Sequence, residues 1–336
     1  MVVIGLVGLN GCGKSVIAEE LVAQHGFQRI YITLSDGEGN NPLTSPMTQL
    51  SLNNLATVAP LALHFESVAA ALDYVTSHWQ QNFVTTSLRD ERSFREFMGR
   101  PFFIVVAVLA PVQARFERCQ GRKPELSLTE LVKRDDEMLY KRGLVHITAN
   151  ARLTISNGST MGKLRNLVQQ LQPDERWVRP TWDTYFMEMA DLASKRSNCM
   201  KRCVGAVIVK DKRVVATGYN GTARGLPNCC DGGCPRCNSN APCGVALEHC
   251  YCLHAEENAL LEAGRGRSEG AIMYCTTAPC LGCTQKLIQC GIKRVVYTRE
   301  YSIEHNVRHM YQKVGIALDK FAPELPHYLD TESASI

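Results

Sequence analysis

Apolar residues along this chain follow two rhythms, short unbroken runs and helical stripes, and together they divide it into two parts. Residues 2–7 (VVIGLV) form an unbroken apolar run that predicts a buried strand, and residues 16–25 follow with the apolar spacing of a helix. Further strands are predicted at residues 83–86 and 102–109. The second of these is continuous, as in a parallel sheet covered on both faces. Residues 126–140 read as a helix containing Lys133 and Arg134. Between residues 171 and 181 the series QPDERWVRP, with two prolines among polar residues, has the composition of a domain boundary.

Past that boundary, residues 182–194 repeat at helical spacing. Trp182, Tyr185, Phe186, Met189, Leu192 and Ala193 fall on one side, a stripe expected to face the core. Residues 204–209 and 213–218 predict two strands around a turn at 210–212. Strands at 271–276 and 294–297 and a helix at 254–263, stopped by Gly264, allow an α/β/α sandwich. The expected organisation is α/β throughout: a nucleotide-binding-like parallel-sheet domain over 1–172, a linker over 173–180, and a second domain over 181–330. No internal repeat or low-complexity segment is present, and the tail from Asp330 to Ile336 is expected to be loose.

Composition narrows the function classes. With 336 residues, 45% hydrophobic and 21% charged, the chain has the size and balance of a two-domain globular protein. A net charge of +4 is too mild for a nucleic-acid footprint, so no stable nucleic-acid partner is expected. The basic residues Lys195, Arg196, Lys201, Arg202, Lys210, Lys212 and Arg213 are read as a solvated surface. No stretch reaches the roughly 18 apolar residues of a membrane span, and the short apolar start runs into a glycine loop rather than a signal-peptide pattern. An intracellular protein, cytoplasmic or nuclear, is expected. Thirteen of the 15 cysteines fall between Cys199 and Cys290, which points to metal or free thiols in the second part rather than a disulfide framework.

The first part carries a phosphate-binding signature. Gly8-Leu9-Asn10-Gly11-Cys12-Gly13-Lys14-Ser15 is a complete G-x-x-x-x-G-K-S set between a predicted strand and a predicted helix. Backbone N–H groups there cradle phosphates, Lys14 would contact the β/γ-phosphates and Ser15 would hold Mg²⁺ of a bound nucleoside triphosphate. This part resembles the dephospho-CoA kinase and nucleoside monophosphate kinase group. The resemblance implies a lid region containing Arg115, Arg118 and Arg122. No strand ends in a clear Walker B aspartate, since the best candidate ends in Thr85-Thr86 with Asp90 beyond it. Nucleotide binding is therefore favoured over phosphoryl transfer.

The second part carries metal chemistry. His254-Ala255-Glu256, followed by Pro279-Cys280-Leu281-Gly282-Cys283, is the His-x-Glu…Pro-Cys-x-x-Cys set of zinc deaminases. One imidazole and two thiolates leave tetrahedral Zn²⁺ an open position, where a structural site would have a fourth protein ligand. A water there falls in pKa from about 15.7 to roughly 7. Glu256 lies two residues past His254, near enough to move protons without being needed as a ligand.

Residues 180–320 closely resemble the deoxycytidylate (dCMP) deaminase family. The resemblance rests on Arg196-Ser197-Asn198-Cys199, Val204-Gly205-Ala206-Val207-Ile208, Gly218-Tyr219-Asn220-Gly221-Thr222, His254-Ala255-Glu256-Glu257-Asn258-Ala259 and Ala278-Pro279-Cys280-Leu281-Gly282-Cys283. The insertion Cys234-Pro235-Arg236-Cys237, with the N-terminal extension, is similar to the fungal branch. The resemblance implies a cytidine-deaminase-like sandwich that converts dCMP to dUMP and ammonia and so supplies dUMP for thymidylate synthesis. It also implies activation by dCTP, inhibition by dTTP and a homo-oligomer, often a hexamer. Asn220, the Ala255 backbone, Thr276, Thr277 and Tyr301 would contact the nucleotide, and Gly221, Arg224 and Gly225 an effector.

The remaining cysteines suggest a second, structural zinc. Cys234, Cys237, Cys250 and Cys252 offer four thiols, but the one-residue spacing of the last pair is awkward for a single tetrahedral ion. The resemblance points instead to Cys199, Cys229 and a residue near His249 or Cys250, so the ligand set stays open. Cys12, Cys119, Cys203, Cys275 and Cys290 read as buried small hydrophobes or free thiols. Two other functions fit part of the pattern. One is a deaminase of another free cytosine nucleotide or nucleoside or of an RNA base. The other is a P-loop regulatory protein or kinase with a structural zinc module.

Overall fold

The computed structural model describes residues 1–33, 62–242, 244–300, 305–323 and 327–332. The chain divides into two compact units: Met1–Arg179 with Leu325–Ile336, and Pro180–Glu324.

The first unit begins with β1 (Val3–Val7), α1 (Lys14–His25), β2 (Gln28–Ile32), β3 (Leu63–Phe65) and α2 (Val68–Ser77). It continues with β4 (Phe83–Thr85), α3 (Glu91–Met98), β5 (Phe103–Leu109), α4 (Val112–Gln120) and α5 (Leu128–Asp136). A single π turn over Glu137–Lys141 widens the end of the helix expected at 126–140. Then come α6 (Leu144–Ala149), β6 (Leu153–Ser156) and α7 (Met161–Gln170). The strands lie in the order β6-β5-β1-β4-β2-β3, all parallel. Because both faces are covered, β1 and β4 are buried at every position. Ile4, Ile17, Val106 and Ile155 fill one side of this sheet, and Val3, Phe83, Phe94 and Phe97 the other.

The second unit runs through α8 (Trp182–Ser194), β7 (Gly205–Lys210), β8 (Arg213–Tyr219), β9 (Gly221–Thr222), α9 (Pro235–Asn238) and β10 (Cys252–Leu253). It continues through α10 (Ala255–Ser268), β11 (Ile272–Thr277), α11 (Leu281–Gln289), β12 (Arg294–Arg299), α12 (His305–Lys313) and β13 (Ala317–Lys320). A five-stranded sheet, β13-β12-β11-β7-β8, is antiparallel across β8–β7–β11 and parallel across β11–β12–β13. Helix α8 packs on one face through Phe186, Met187 and Ala190. The other face buries Ala255, Ala259, Leu287 and Tyr311. This is the expected three-layer sandwich. At Gly218 a Cβ would lie 2.1 Å from the carbonyl oxygen of Ala255. Only glycine allows β8 to approach the start of α10 this closely.

Three expectations need correction. The stripe on α8 is core only in part: Phe186 is buried and Met189 packs beside it, but Trp182, Tyr185 and Leu192 are exposed, and Thr184, Met187, Ala190 and Ser194 complete the buried face. Seating Phe186 on the sheet contributes about 1.5–3 kcal/mol relative to exposure, and that contact fixes the helix's rotation. The tail is ordered at its start, at Asp330 and Thr331. β14 (Tyr328–Asp330) pairs in parallel with β6, and Thr331 is buried with its backbone N–H donating to the Ser156 carbonyl. Residues 328–330 therefore extend the first sheet. Trp177, inside the proposed linker, is likewise buried in the first unit's core.

Candidate active site

Two helix N-termini converge on one cluster in the second unit. β10 delivers the chain to His254, which caps α10 in extended conformation (φ −78°, ψ 156°) instead of lying in its first turn as helical spacing suggests. Its backbone N–H donates to Glu257 Oε2 at 2.8 Å, closing a capping box, and Glu257 also pairs with Lys286 on α11. The helix does not stop at Gly264 but kinks there (φ 69°, ψ 160°) and continues to Ser268. β11 runs out at Thr277, Pro279 turns the chain, Cys280 caps α11, and Cys283 follows in its first turn.

The three side chains meet. Cys280 Sγ and Cys283 Sγ lie 3.5 and 3.3 Å from His254 Nδ1. Sulfur and nitrogen donors on one tetrahedral zinc, at about 2.3 and 2.0–2.1 Å from the metal, stand roughly 3.5 Å apart. The spacing and the donor types therefore fit Zn²⁺. Their proton affinities point the same way. The Cys280 thiol is held down to about 4, first by its bond with Cys283 and then by His254. His254 is pushed up to about 9, first by Cys280. Cys283, bonded to that thiolate and buried, is pushed up. Three donors that must share protons at van der Waals range can exchange them for a divalent cation.

Glu256 is 4% exposed. Burial pushes its carboxyl up to about 7, opposed by the His254 charge. A carboxyl near neutrality can take and return a proton at physiological pH, which general acid–base work requires. Tyr311, whose hydroxyl is pushed up by burial, lies beside Thr284 and within electrostatic reach of Cys275, Glu256 and Cys283. The sequence reading did not single out Tyr311, Thr284, Lys286 or the capping role of Glu257. The Glu257 spacing was visible as x-x-Glu after a cap, but a histidine cap lacks the usual Ser/Thr signal.

The other expected ligand contacts are distributed as follows. Asn220 is buried; its Oδ1 accepts from the Val204 N–H and its Nδ2 donates to the Arg202 carbonyl, both at 2.8 Å. One amide hydrogen and one lone pair remain for a ligand. Ala255 supplies the first N–H of α10, on the side of His254. Thr276 is fully buried and its hydroxyl accepts from the Gly205 N–H at 3.1 Å, while Thr277 is partly exposed at the strand's end. Arg224 and Gly225 are exposed, whereas Gly221 packs on the Asn198 side chain. Tyr301 lies outside the described residues.

A second cluster gathers six cysteines. Cys199, Cys229, Cys237 and Cys252 have sulfurs within 4.8 Å of one another, and so do Cys234, Cys237, Cys250 and Cys252. His249 is in neither set; it is exposed and pairs with Glu248 at 3.7 Å. Cys275 is buried, and Cys203 is exposed.

In the first unit the glycine loop joins β1 to α1. Gly8, Gly11 and Gly13 all have positive φ, and a Cβ at Gly13 would lie 2.8 Å from Asn157 Nδ2. Lys14 Nζ donates to the carbonyls of Gly8 (2.6 Å) and Leu9 (2.9 Å), and Ser15 is exposed at the start of α1. Arg115 and Arg118 do not project from a lid. Arg115 is buried in a bidentate pair with Asp135 and donates to the Asn10 carbonyl; Arg118 donates to Gly11 and Ser159 carbonyls. Arg122 is exposed. Asp90 caps α3, accepting from the Ser93 N–H at 2.9 Å.

Comparison with known proteins converges on one group. The family described as the cytidine and deoxycytidylate deaminase zinc-binding region matches residues 180–299. Deoxycytidylate deaminase of Schizosaccharomyces pombe is 40% identical over 96% of this chain and 98% of its own length. That of Saccharomyces cerevisiae is 38% identical over 77% and 87%. Among solved structures, dCMP deaminase of cyanophage S-TIM5 in complex with dCMP and dUMP is 31% identical. It covers 43% of this chain and 98% of that one, with a TM-score of 0.34.

Proposed function

The chain belongs to the deoxycytidylate deaminase family, and we propose from that premise that its reaction takes place where His254, Cys280 and Cys283 converge beside Glu256. The reaction is hydrolytic deamination of dCMP to dUMP and ammonia. One observation carries the site assignment: a buried carboxyl, Glu256, stands next to a three-donor set whose spacing fits zinc. Zinc held there supplies Lewis acidity that activates water at neutral pH. Glu256 would take a first proton from the attacking water and pass it to N3 of the cytosine, then take the second from the hydroxyl added at C4 and deliver it to the amino group as it leaves as ammonia. Ala255 N–H, Asn220 and Thr277 hold the base and sugar, the Thr276 hydroxyl being already engaged within the sheet. Tyr301 belongs to the same proposal.

Regulation by dCTP and dTTP through Gly221 and the exposed Arg224 and Gly225 that follow it, and assembly into a homo-oligomer such as a hexamer, complete the reading. A structural zinc among the thiols between Cys199 and Cys252 belongs to it as well.

The first unit is read as a binding domain for a nucleoside triphosphate with Mg²⁺. This reading is supported by the parallel strand order around β1 and by three positive-φ glycines leading into α1. Asp90 is committed to capping α3, so no acid at the end of β4 is available for the metal, which favours binding without phosphoryl transfer.

Ammonia release from dCMP, CMP, deoxycytidine and dCTP, followed in parallel, tests the substrate. Turnover should be confined to dCMP among the four, and equal rates on deoxycytidine would remove the nucleotide from the reading.

A further inference from the structure

The two four-cysteine sets of the second cluster share Cys237 and Cys252. We propose that the six cysteines hold two zinc ions, not one, with Cys237 and Cys252 bridging and Cys199, Cys229, Cys234 and Cys250 as terminal ligands. The proposal deepens the reading of a structural zinc here and is independent of the catalytic assignment.

Geometry comes first. Thiolates on one tetrahedral zinc, each about 2.3 Å from the metal, stand roughly 3.8 Å apart along every edge. Cys199 and Cys237 sulfurs are 3.9 Å apart, and Cys234 and Cys250 sulfurs 4.0 Å, one such edge in each set. Neither distance is a disulfide, since S–S bonds are about 2.05 Å. Two tetrahedra that share an edge need six donors in total, and six converge here. The arrangement also removes the difficulty of the one-residue spacing, because Cys250 serves one ion while Cys252 lies between both.

The thiols are prepared for charge. Two Zn²⁺ and six thiolates leave a net charge of −2, which must be dispersed. Cys199 accepts backbone N–H bonds from Lys201 and Arg202, and Cys234 accepts them from Cys237 and from Tyr251, the last at 3.4 Å. Such bonds to sulfur support the metal's ligands as other outer contacts do.

The local fold requires something of this kind. Among the described residues from 222 to 253, only Cys229, Cys234 and Cys237 are buried, and the partly buried side chains packed on them are again cysteines. Val245, Leu247 and Tyr251 stay exposed. A segment of about thirty residues without an apolar core falls below the size that folds on burial alone, and metal binding supplies the missing free energy. The segment ends two residues after Cys252 at His254, through β10 paired with β9. The cluster therefore anchors the strand that delivers the catalytic histidine.

Metal analysis of the purified full chain decides the count, with zinc K-edge absorption deciding the geometry. Three zinc ions per chain are expected in the wild type, with a metal–metal scattering path. Cys280→Ser should leave two, all in sulfur-only coordination. Cys250→Ser should lose one cluster ion, and Cys237→Ser, which removes a shared ligand, both. Two zinc ions in the wild-type chain and no metal–metal path would overturn the proposal in favour of one ion and spare thiols. Iron with acid-labile sulfide would overturn it in favour of a different cluster. The wild-type measurements decide the question even where a cysteine variant fails to fold.

Discussion

The glycine loop of the first unit and the metal cluster of the second use the same device, a strand that runs into a helix N-terminus, with different outcomes. In the first, β1 leads through three positive-φ glycines to α1, and the charges brought to the loop by the described residues are cations: the Lys14 ammonium, folded onto the carbonyls of Gly8 and Leu9, and the Arg115 and Arg118 guanidiniums on the carbonyls of Asn10 and Gly11. In the second, β10 and β11 lead to α10 and α11. The capping positions themselves carry donors, His254 and Cys280, and an acid stands buried beside them. A helix N-terminus attracts anions wherever it occurs. Proton-transfer chemistry requires in addition a buried acid or base at the site, and the second centre has one in Glu256. Asp90, the acid nearest in sequence to the end of β4, is spent on a helix cap.

The largest effects should come from breaking the second centre. Cys280→Ala and His254→Ala leave two protein donors, too few to hold catalytic zinc, and are expected to lose that metal and all measurable deamination together. Metal content beside ammonia release checks this, and a variant that retained full activity would remove the cluster from the mechanism. Glu256→Ala should separate the two losses. Zinc stays bound, because no donor is removed, while the rate falls by about 10²–10⁴ or more, since one carboxyl serves several proton transfers. Near-normal turnover in that variant would leave the second centre with no advantage over the first beyond its metal.

Much of this contrast was legible in the chain, for a physical reason. Metal donors and phosphate-binding glycines are identified by residue type and spacing, so His254, Glu256, Cys280, Cys283 and the Gly8–Ser15 series could be read directly. Faces and closures could not. Residues 182–194 have apolar positions around much of the helix, and how far the buried face turns from the expected stripe, keeping Phe186 but adding Met187 and Ala190, depends on the sheet that receives it. Tyr328–Asp330 is too short and polar to signal a strand until the free edge of β6 is there to receive it. The six thiols are spread over 54 residues of chain, from Cys199 to Cys252, and spacing alone does not reveal that two of them are shared. Tyr301 lies outside the described residues.

Two substitutions probe what holds the first centre in shape. Asp135→Asn breaks the buried pair with Arg115, whose guanidinium also supports the Asn10 carbonyl of the glycine loop. Removing one partner of a buried pair typically costs about 3–5 kcal/mol, so denaturant midpoints should fall markedly and nucleotide binding with them. Unchanged stability would mean that the pair is not desolvated. Lys14→Ala should weaken binding of a Mg²⁺–nucleoside triphosphate by about 1.5–3 kcal/mol, the usual value of a hydrogen bond to a charged group, without altering deamination of dCMP by much. Titration calorimetry and a phosphotransfer assay read both sides of the contrast. Rapid phosphoryl transfer would make the first unit an enzyme in its own right, and an absence of binding would reduce the loop to a turn.

The smallest effect concerns an ion pair in the second unit that is the counterpart of Arg115–Asp135. Asp183 receives two hydrogen bonds from the Arg294 guanidinium, at 2.9 and 2.8 Å, and one from the Tyr274 hydroxyl at 2.6 Å. Burial pushes its carboxyl up, but these bonds more than offset that and hold it below the usual carboxylate range. Both side chains remain about one third exposed, so solvent screening limits the pair to about 1 kcal/mol. A depressed folded pKa contributes stability that is present above the unfolded value, near 3.9, and is lost as pH falls through the folded one. Asp183→Asn should therefore destabilise by about 1 kcal/mol at pH 7, and the gap to the wild type should close on acidification below about pH 4. Chemical denaturation of both proteins across that range measures it. A gap that stayed constant with pH would show that hydrogen-bond geometry at Tyr274 and Arg294, not the carboxylate charge, stabilises this face of the sheet.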